Sequence, residues 1–329
     1  MTEGALKQRL SNNISKYFEN IDSSADIKID ITKGRRLASH SKHLHCLIKI
    51  KTRGQNVRRE YIFAKYANKT EFDNLLKIQS FYQNANIILK IPKPLDYYTD
   101  SKILILEGIK GENLLLHLLI NLLPFMRIIN RRSLEHTMRL CAAWLAEFHN
   151  LTYIRNVENL KDELEIAFKR LEMIPYFNKQ QKKDLMNRLV ISNGSVKCLP
   201  MTLTNRDFSP RNIIFDNKNG IKVVDWAKII EKNIYYSIAY FFTNLESRAR
   251  HYIYSLNYIK TLEQLFWDEY RKKSKFNVNK VSFKFMKILY NIEYLYEYYT
   301  KTGVFEEWIQ STRAMNIFVN QIANNLLDG

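Results

Sequence analysis

Asp207 and Asn212 stand five residues apart in TNRDFSPRNIIF (204–215), a carboxylate and an amide separated by a proline and an arginine at the entrance to an apolar run. Asp225 closes the following run, IKVVDW, thirteen residues beyond Asn212. A carboxylate and an amide carbonyl are hard oxygen ligands of the type Mg2+ takes when it also keeps waters and phosphate oxygens. Asn212 and Asp225 supply that pair, which leaves Asp207 as a carboxylate near the metal and available for a hydroxyl proton. Nucleotide phosphates also need a cation. Lys65, at the end of the strand-like YIFAK, is followed by a helical stretch carrying Glu71, and the two fit a Lys–Glu pair that would fix the ammonium. Asp73 and Glu60 are nearby acids that would serve the same purpose.

These residues need elements to position them. NIIF, the turn residues DNKNG and IKVVDW read as a hairpin, which brings Asn212 and Asp225 to one edge. Upstream, DIKIDI (26–31), HLHCLIKIK (43–51) and VRREYIFAKYA (57–67) read as strands, with a turn at TRGQN between the last two. A helix over 69–83 places Phe72, Leu75, Leu76 and Gln79 on one face, and two further strand-like pieces end in KILILEGIKG (102–111). A small antiparallel sheet with one inserted helix makes an α+β lobe. From Glu112 onward the pattern is helical apart from the hairpin. SLEHTMRLCAAWLAEFHNL (133–151) predicts a helix capped by Ser133, with Leu134, Met138, Cys141, Leu145 and Phe148 inward.

The chain has 329 residues, 46% hydrophobic content and few glycines or prolines, enough for two lobes. Cys46, Cys141 and Cys198 are odd in number and scattered, so they read as reduced thiols and not as a disulfide framework or a metal knuckle. MTEGALKQRLSNNISKYFEN has no apolar h-region, so a cytoplasmic location is expected. The most apolar run, Leu114 to Ile129, falls short of the roughly 20 residues of a membrane span and carries His117, Asn121 and Pro124, so a buried or interfacial helix is expected. A formal charge of +18 is compatible with an anionic partner, but the basic residues are spread along the chain and nucleic acid is not expected. His40, His43, His45 and Cys46 do not read as a zinc site, because His43 and His45 share one strand face and Cys46 takes the other. His149 reads as a core or capping histidine. P-loop, Rossmann and nucleophile-elbow motifs are absent.

Taken together, NRDFSPRN, VVDW, YIFAK, TEFDNLL, IPKPL and LILEGIKGENL resemble the aminoglycoside phosphotransferase and choline kinase branch of the protein-kinase-like fold, over roughly residues 25 to 245. The resemblance implies a bilobal α+β protein, with a nucleotide-binding lobe over 1–108 and a helical lobe over 109–329 that holds the catalytic loop and the acceptor site. It implies Asp207 as catalytic base, Asn212 and Asp225 as Mg2+ ligands, Lys65 as the phosphate contact with Glu71 as its partner, and Glu107, Gly108 and Ile109 as hinge backbone for adenine. The chain departs from the family in three places. Asn205 stands where relatives keep a histidine two residues before the base. Ser237 stands where they keep an aspartate. No glycine-rich loop covers the phosphates, for which Ser39 and Ser41 offer hydroxyls and amides instead. Arg211, beside Asn212, is a candidate for stabilising the transferring phosphoryl, since Ser209 occupies the position two after the base.

The expected activity is therefore transfer of the γ-phosphoryl group of ATP, with Mg2+, to a hydroxyl of a small molecule or glycan. A sugar is favoured, because acids in the presumed acceptor lobe alternate closely with bases, as in KDELEIAFKRLE. The alternative is a degenerate kinase fold that binds nucleotide or a membrane surface without turnover, supported by Asn205, Ser237 and the interfacial character of LLPFMRIINRR. That segment also suggests a peripheral contact at the inner membrane surface.

Overall fold

A computed structural model of the chain describes residues 2–18, 21, 25–33, 43–51, 58–82, 91–157, 160–175, 177–193, 199–216, 220–251 and 256–302. The turn at TRGQN, Ser39, Ser41, His40 and Cys198 lie outside the described residues. Two compact units form, Met1–Glu112 with Ile214–Lys228, and Asn113–Ile213 with Ile229–Gly329. The boundary falls at Glu112, and the hairpin returns the chain to the first unit.

Along the chain the first unit holds α1 (Glu3–Asn12), α2 (Ile14–Tyr17), β1 (Asp26–Lys33), β2 (His43–Lys51), β3 (Arg58–Tyr66), α3 (Lys69–Tyr82), β4 (Pro94–Tyr98) and β5 (Ile103–Glu107). A two-residue β6 (Glu112–Asn113) marks the junction. The second unit continues with α4 (Leu114–Asn121), α5 (Pro124–Leu151), β7 (Tyr153–Val157), α6 (Lys161–Met173), α7 (Lys179–Asn193) and β8 (Leu199–Asn205). The strands β9 (Ile213–Asp216) and β10 (Gly220–Val223) form the hairpin. Back in the second unit come β11 (Ile229–Asn233), α8 (Ile234–His251), α9 (Leu256–Lys273) and α10 (Lys280–Thr302).

The sheet of the first unit is antiparallel, in the order β1-β2-β3-β5-β4. Period-two alternation sends Cys46, Ile48, Ile62 and Ala64 to one face, where Leu6 and Leu10 of α1 complete the core. Burial pushes the Cys46 thiol up to about 12, so it is a packing group and not a reactive one. The helices α1 and α2 were not anticipated, because their stretch is mostly polar and only Leu6, Leu10, Ile14 and Tyr17 turn inward. They are lashed to the sheet by Arg9 on Asp100, and by the Tyr17 hydroxyl between Asp96 (2.9 Å) and Tyr98 (2.8 Å). The face expected on α3 is rotated. Leu76 is exposed, and the buried row is Glu71, Leu75 and Ile78.

In the second unit the predicted inward face of α5 is buried throughout, from Leu134 to Phe148. The helix does not begin at Ser133, however. It starts at Pro124, whose fixed φ suits a first turn, and Ser133 lies inside it, its carbonyl accepting the Thr137 hydroxyl at 2.8 Å. A kink at Asn130 (φ −104°, ψ 16°) separates the two segments. The sheet β11-β8-β7 also went unread. All seven residues of β8, LPMTLTN, are buried, so no alternation marks it. Within the three-helix packing of α8, α9 and α10, Lys287 is buried and donates to Glu246 (2.8 Å) and Glu263 (2.7 Å).

Candidate active site

Each unit carries one set of the residues singled out above. In the first, Lys65 lies on β3, on the sheet face opposite Ile62 and Ala64. It is 9% exposed and pairs with Glu71 Oε1 at 2.7 Å and Asp225 Oδ1 at 3.2 Å. Of the three acids near Lys65 in sequence, α3 therefore brings Glu71 to the ammonium, because the buried row of the helix starts there. Burial raises the Glu71 carboxyl above the usual carboxylate range and the Lys65 ammonium opposes that shift. The same carboxylate accepts the Trp226 N–H at 3.1 Å, and one turn further on the Asn74 amide donates to the Trp226 carbonyl at 2.9 Å. With its indole N–H on the Val223 carbonyl, the fully buried Trp226 locks the segment after β10.

Asp225 sits in the left-handed region at φ 63°, a conformation that aspartate tolerates at a cost of about 1 kcal/mol. Its carboxylate is 45% exposed. The strain is held by Trp226 on one side and the hairpin on the other, so the carboxylate is presented outward from a fixed backbone. In the segment from Glu107 to Ile109 the Glu107 N–H donates to the Lys93 carbonyl (2.9 Å) and the Gly108 N–H to the Tyr61 carbonyl (2.7 Å). Of its three amides, only that of Ile109 carries no such bond among the described residues. Gly108 is required by proximity, since a Cβ there would lie 2.3 Å from Tyr61 Cβ.

In the second unit the loop after β8 is knitted by its own short-range bonds. Asn205 Oδ1 accepts the Asp207 N–H at 2.9 Å, an Asx turn. The Asp207 carbonyl accepts from Ser209 N–H (2.9 Å) and from Asn212 Nδ2 (3.0 Å), and Pro210 opens a single 3-10 turn, Pro210–Asn212. With its nitrogen committed to that carbonyl, Asn212 has its Oδ1 as an oxygen that could hold a cation. Phe208 is buried and stacked on Trp144 at 5.7 Å, which fixes the loop to α5. Arg211 is exposed, and its carbonyl accepts the Asn113 amide at 2.5 Å.

Sequence reasoning missed Tyr240. Its hydroxyl donates to Asp207 Oδ1 at 2.8 Å, and burial together with the Asp207 carboxylate raises the phenol far above its ordinary value, so it stays a donor. Ser237, at the position flagged for its missing aspartate, is buried with a hydroxyl that has no partner among the described residues. Tyr240 follows it by three residues on the same helical face, so support for the loop comes from one turn further along. Tyr236, Tyr240 and Tyr290 cluster with ring centroids 5.0–6.4 Å apart. Beside them Arg206 contacts Glu297 and, at 3.8 Å, Glu293, which Arg170 also reaches at 3.4 Å. Among the described residues no three His, Cys, Asp or Glu side chains converge as a metal cluster.

The fold is that of bilobal protein-kinase-like structures, to which the chain is similar over nearly its whole length. Similar solved structures include choline kinase LicA from Streptococcus pneumoniae (14% identity, 99% of each chain covered, TM-score 0.53). Another is aminoglycoside phosphotransferase APH(2'')-Ib with ADP bound (14% identity, 98% of each chain, TM-score 0.54). A third is amicoumacin kinase hAmiN in complex with AMP-PNP, Ca2+ and Ami (10% identity, 97% of this chain and 96% of that one, TM-score 0.53). No family model and no curated protein matches the sequence.

Proposed function

We propose that this chain is an ATP-dependent phosphotransferase that acts on a hydroxyl of a small molecule or glycan. The observation that carries the proposal is Lys65, buried between Glu71 and a strained, outward-facing Asp225, in a fold shared with nucleotide-bound kinases. A buried ammonium with two carboxylates is costly to assemble and has an evident use in contacting phosphate. When bound, Mg·ATP supplies the phosphoryl group and the divalent charge that offsets its transfer. Asn212 Oδ1 and the Asp225 carboxylate fit its metal as hard oxygen donors. Lys65, held by Glu71, positions the phosphates. The Glu107 to Ile109 backbone receives adenine through the Ile109 amide, with Ser39 and Ser41 as the expected phosphate cover. Asp207 orients the acceptor hydroxyl and takes its proton. Tyr240 and the Asn205 turn hold that carboxylate in place, and Arg211 is the cation left to offset charge on the transferring group.

A neutral sugar hydroxyl is the proposed acceptor. Apart from Asp207, the carboxylates beside the tyrosine cluster, Glu293 and Glu297, are engaged by Arg206 and Arg170, so a polycation would have to displace guanidinium groups, whereas sugar faces stack on tyrosine rings without that cost. The same tyrosines favour a second reading, a small amino alcohol held by cation–π contact. A cytoplasmic location with peripheral contact at a membrane surface belongs to this proposal as well.

The test is Mg2+-dependent ADP release across sugar, amino-alcohol and aminoglycoside pools. Asp207→Asn is expected to keep nucleotide affinity and to lower turnover by a factor of roughly 10² or more. Turnover within a few-fold of the parent removes Asp207 from the role, and nucleotide binding without turnover on any pool favours the non-catalytic binding module.

A further inference from the structure

We infer that the corner formed by α4 and the first turns of α5 is a docking surface for an anionic lipid membrane, on which it lies without crossing. This deepens the peripheral contact named above and rests on none of the phosphotransferase chemistry. The argument begins with an imbalance of exposed apolar groups. Among the described residues, seventeen large hydrophobic side chains are exposed, and six of them fall between Leu116 and Ile129. Phe125 and Ile128 are 73% and 77% exposed, far beyond what a packed surface helix leaves uncovered.

Helical spacing puts these residues on shared faces. Leu116, Ile120 and Leu123 follow one another by four and three, while Leu114, His117, Leu118 and Asn121 turn inward. After Pro124, Phe125, Ile128 and Ile129 repeat the pattern, and Arg132 continues the row. The corner is built to hold this shape. Asn130, at the kink, donates to Asn121 Oδ1 at 2.6 Å, and Asn121 donates to the His117 carbonyl at 2.7 Å, so a buried amide ladder ties the start of α5 to α4. Side chains that stand so far out from a fixed corner suit insertion among lipid headgroups.

Charge selects the occupant. Residues 113 to 134 contain Arg127, Arg131 and Arg132 and no aspartate or glutamate. Arg131 pairs with Glu135 yet keeps 66% of its side chain exposed, and Arg132 is exposed as well. An apolar tip followed by an arginine fringe is the arrangement of interfacial helices that combine acyl-chain contact with attraction to anionic headgroups, and the net charge of +18 adds attraction at longer range. No helix among the described residues is long and apolar enough to cross a membrane, so the contact is in-plane.

The experiment is flotation of the full chain with vesicles of phosphatidylcholine alone and of phosphatidylcholine with about 30% phosphatidylglycerol. The parent should float with the anionic vesicles at least about ten-fold more than with the neutral ones. Phe125→Asp/Ile128→Asp should lose that binding while its melting temperature stays unchanged, since both side chains are exposed. Arg131→Glu/Arg132→Glu should weaken it, most at low salt. Failure of the parent to prefer anionic vesicles overturns the inference, as does undiminished flotation of the Phe125→Asp/Ile128→Asp variant, which would assign binding to overall charge. Sedimentation velocity without lipid supplies the other overturning result, a dimer of the parent that the same variant converts to monomer.

Discussion

At the residue scale, the roles proposed for Asp225 and Tyr240 complement the one proposed for Asp207. Asp225 holds a left-handed backbone and an outward carboxylate, two features that residues of strand β10 alone would not supply. Asp225→Ala should abolish Mg2+-dependent nucleotide binding, measured by calorimetry with and without the ion, because an oxygen ligand is lost. Its effect on stability should be small. Alanine lacks the local side-chain hydrogen bonding that lets aspartate tolerate that φ, a difference of at most about 1 kcal/mol, or a fall in Tm of roughly 2–4 °C. Unchanged Mg·ATP affinity would take Asp225 out of the ligand set. Tyr240→Phe removes one hydroxyl that donates to Asp207 and leaves the ring packing on Tyr236 and Tyr290. It should lower turnover by about ten-fold with nucleotide affinity intact, the signature of a group acting through the base. Restored activity with an alternative donor at 240, but not with phenylalanine, separates positioning from packing. The loop from Asp207 to Asn212 was legible because it is bonded within itself, from the Asx turn at Asn205 to the Asn212 amide on the Asp207 carbonyl. Tyr240 was not, since its partner lies thirty-three residues earlier and only the packing of α8 beside the loop joins them.

At the element scale, the hairpin, the strands β1 to β3 and the inward face of α5 could be read because apolar periodicity and turn residues announce them locally. The helices α1 and α2 and the strand β8 could not, since α1 hides two leucines among polar residues and β8 is buried on both faces. The face of α3 was misjudged for a related reason. The apolar Phe72, Leu75 and Leu76 set the expected face, whereas the buried row begins at Glu71, whose carboxylate is satisfied by Lys65 and the Trp226 amide. The end of α5 makes a further expectation testable. His149 is fully buried, with one ring nitrogen 2.7 Å from the Tyr270 hydroxyl, and burial pushes its imidazole down to about 3. An unfolded histidine takes up its proton near 6.5, so between those values the unfolded chain binds the extra proton and folding loses stability as pH falls. From about pH 7 to about pH 5 this group should remove about 2 kcal/mol, measured as the difference in denaturant-derived stability between the parent and His149→Phe. The phenylalanine variant should start less stable and change less over that interval. Parallel curves would mean that the imidazole does not stay neutral in the folded state.

At the scale of the whole molecule, the charge of +18 is legible in the sequence, but its local arrangement is not. Glu293 and Glu297 lie some ninety residues from Arg206, and only α10 brings them to the loop that carries Asp207. Net charge and local pairing then point the same way. The long-range field repels a polycation, and the acids that would receive it are already engaged by arginine. Salt separates the two contributions, because the Debye length shrinks from about 30 Å at 0.01 M to about 8 Å at 0.15 M, which removes the long-range field and leaves close pairs largely intact. The expected result, from initial rates across that range, is a KM for neutral sugar acceptors that stays flat. Any aminoglycoside that is turned over should show a KM that falls as salt rises, and still exceed the sugars at the higher ionic strength. A polycationic acceptor that binds more weakly as salt is added would mean that it meets an unpaired acidic surface, and the proposed preference for a neutral sugar would have to be abandoned.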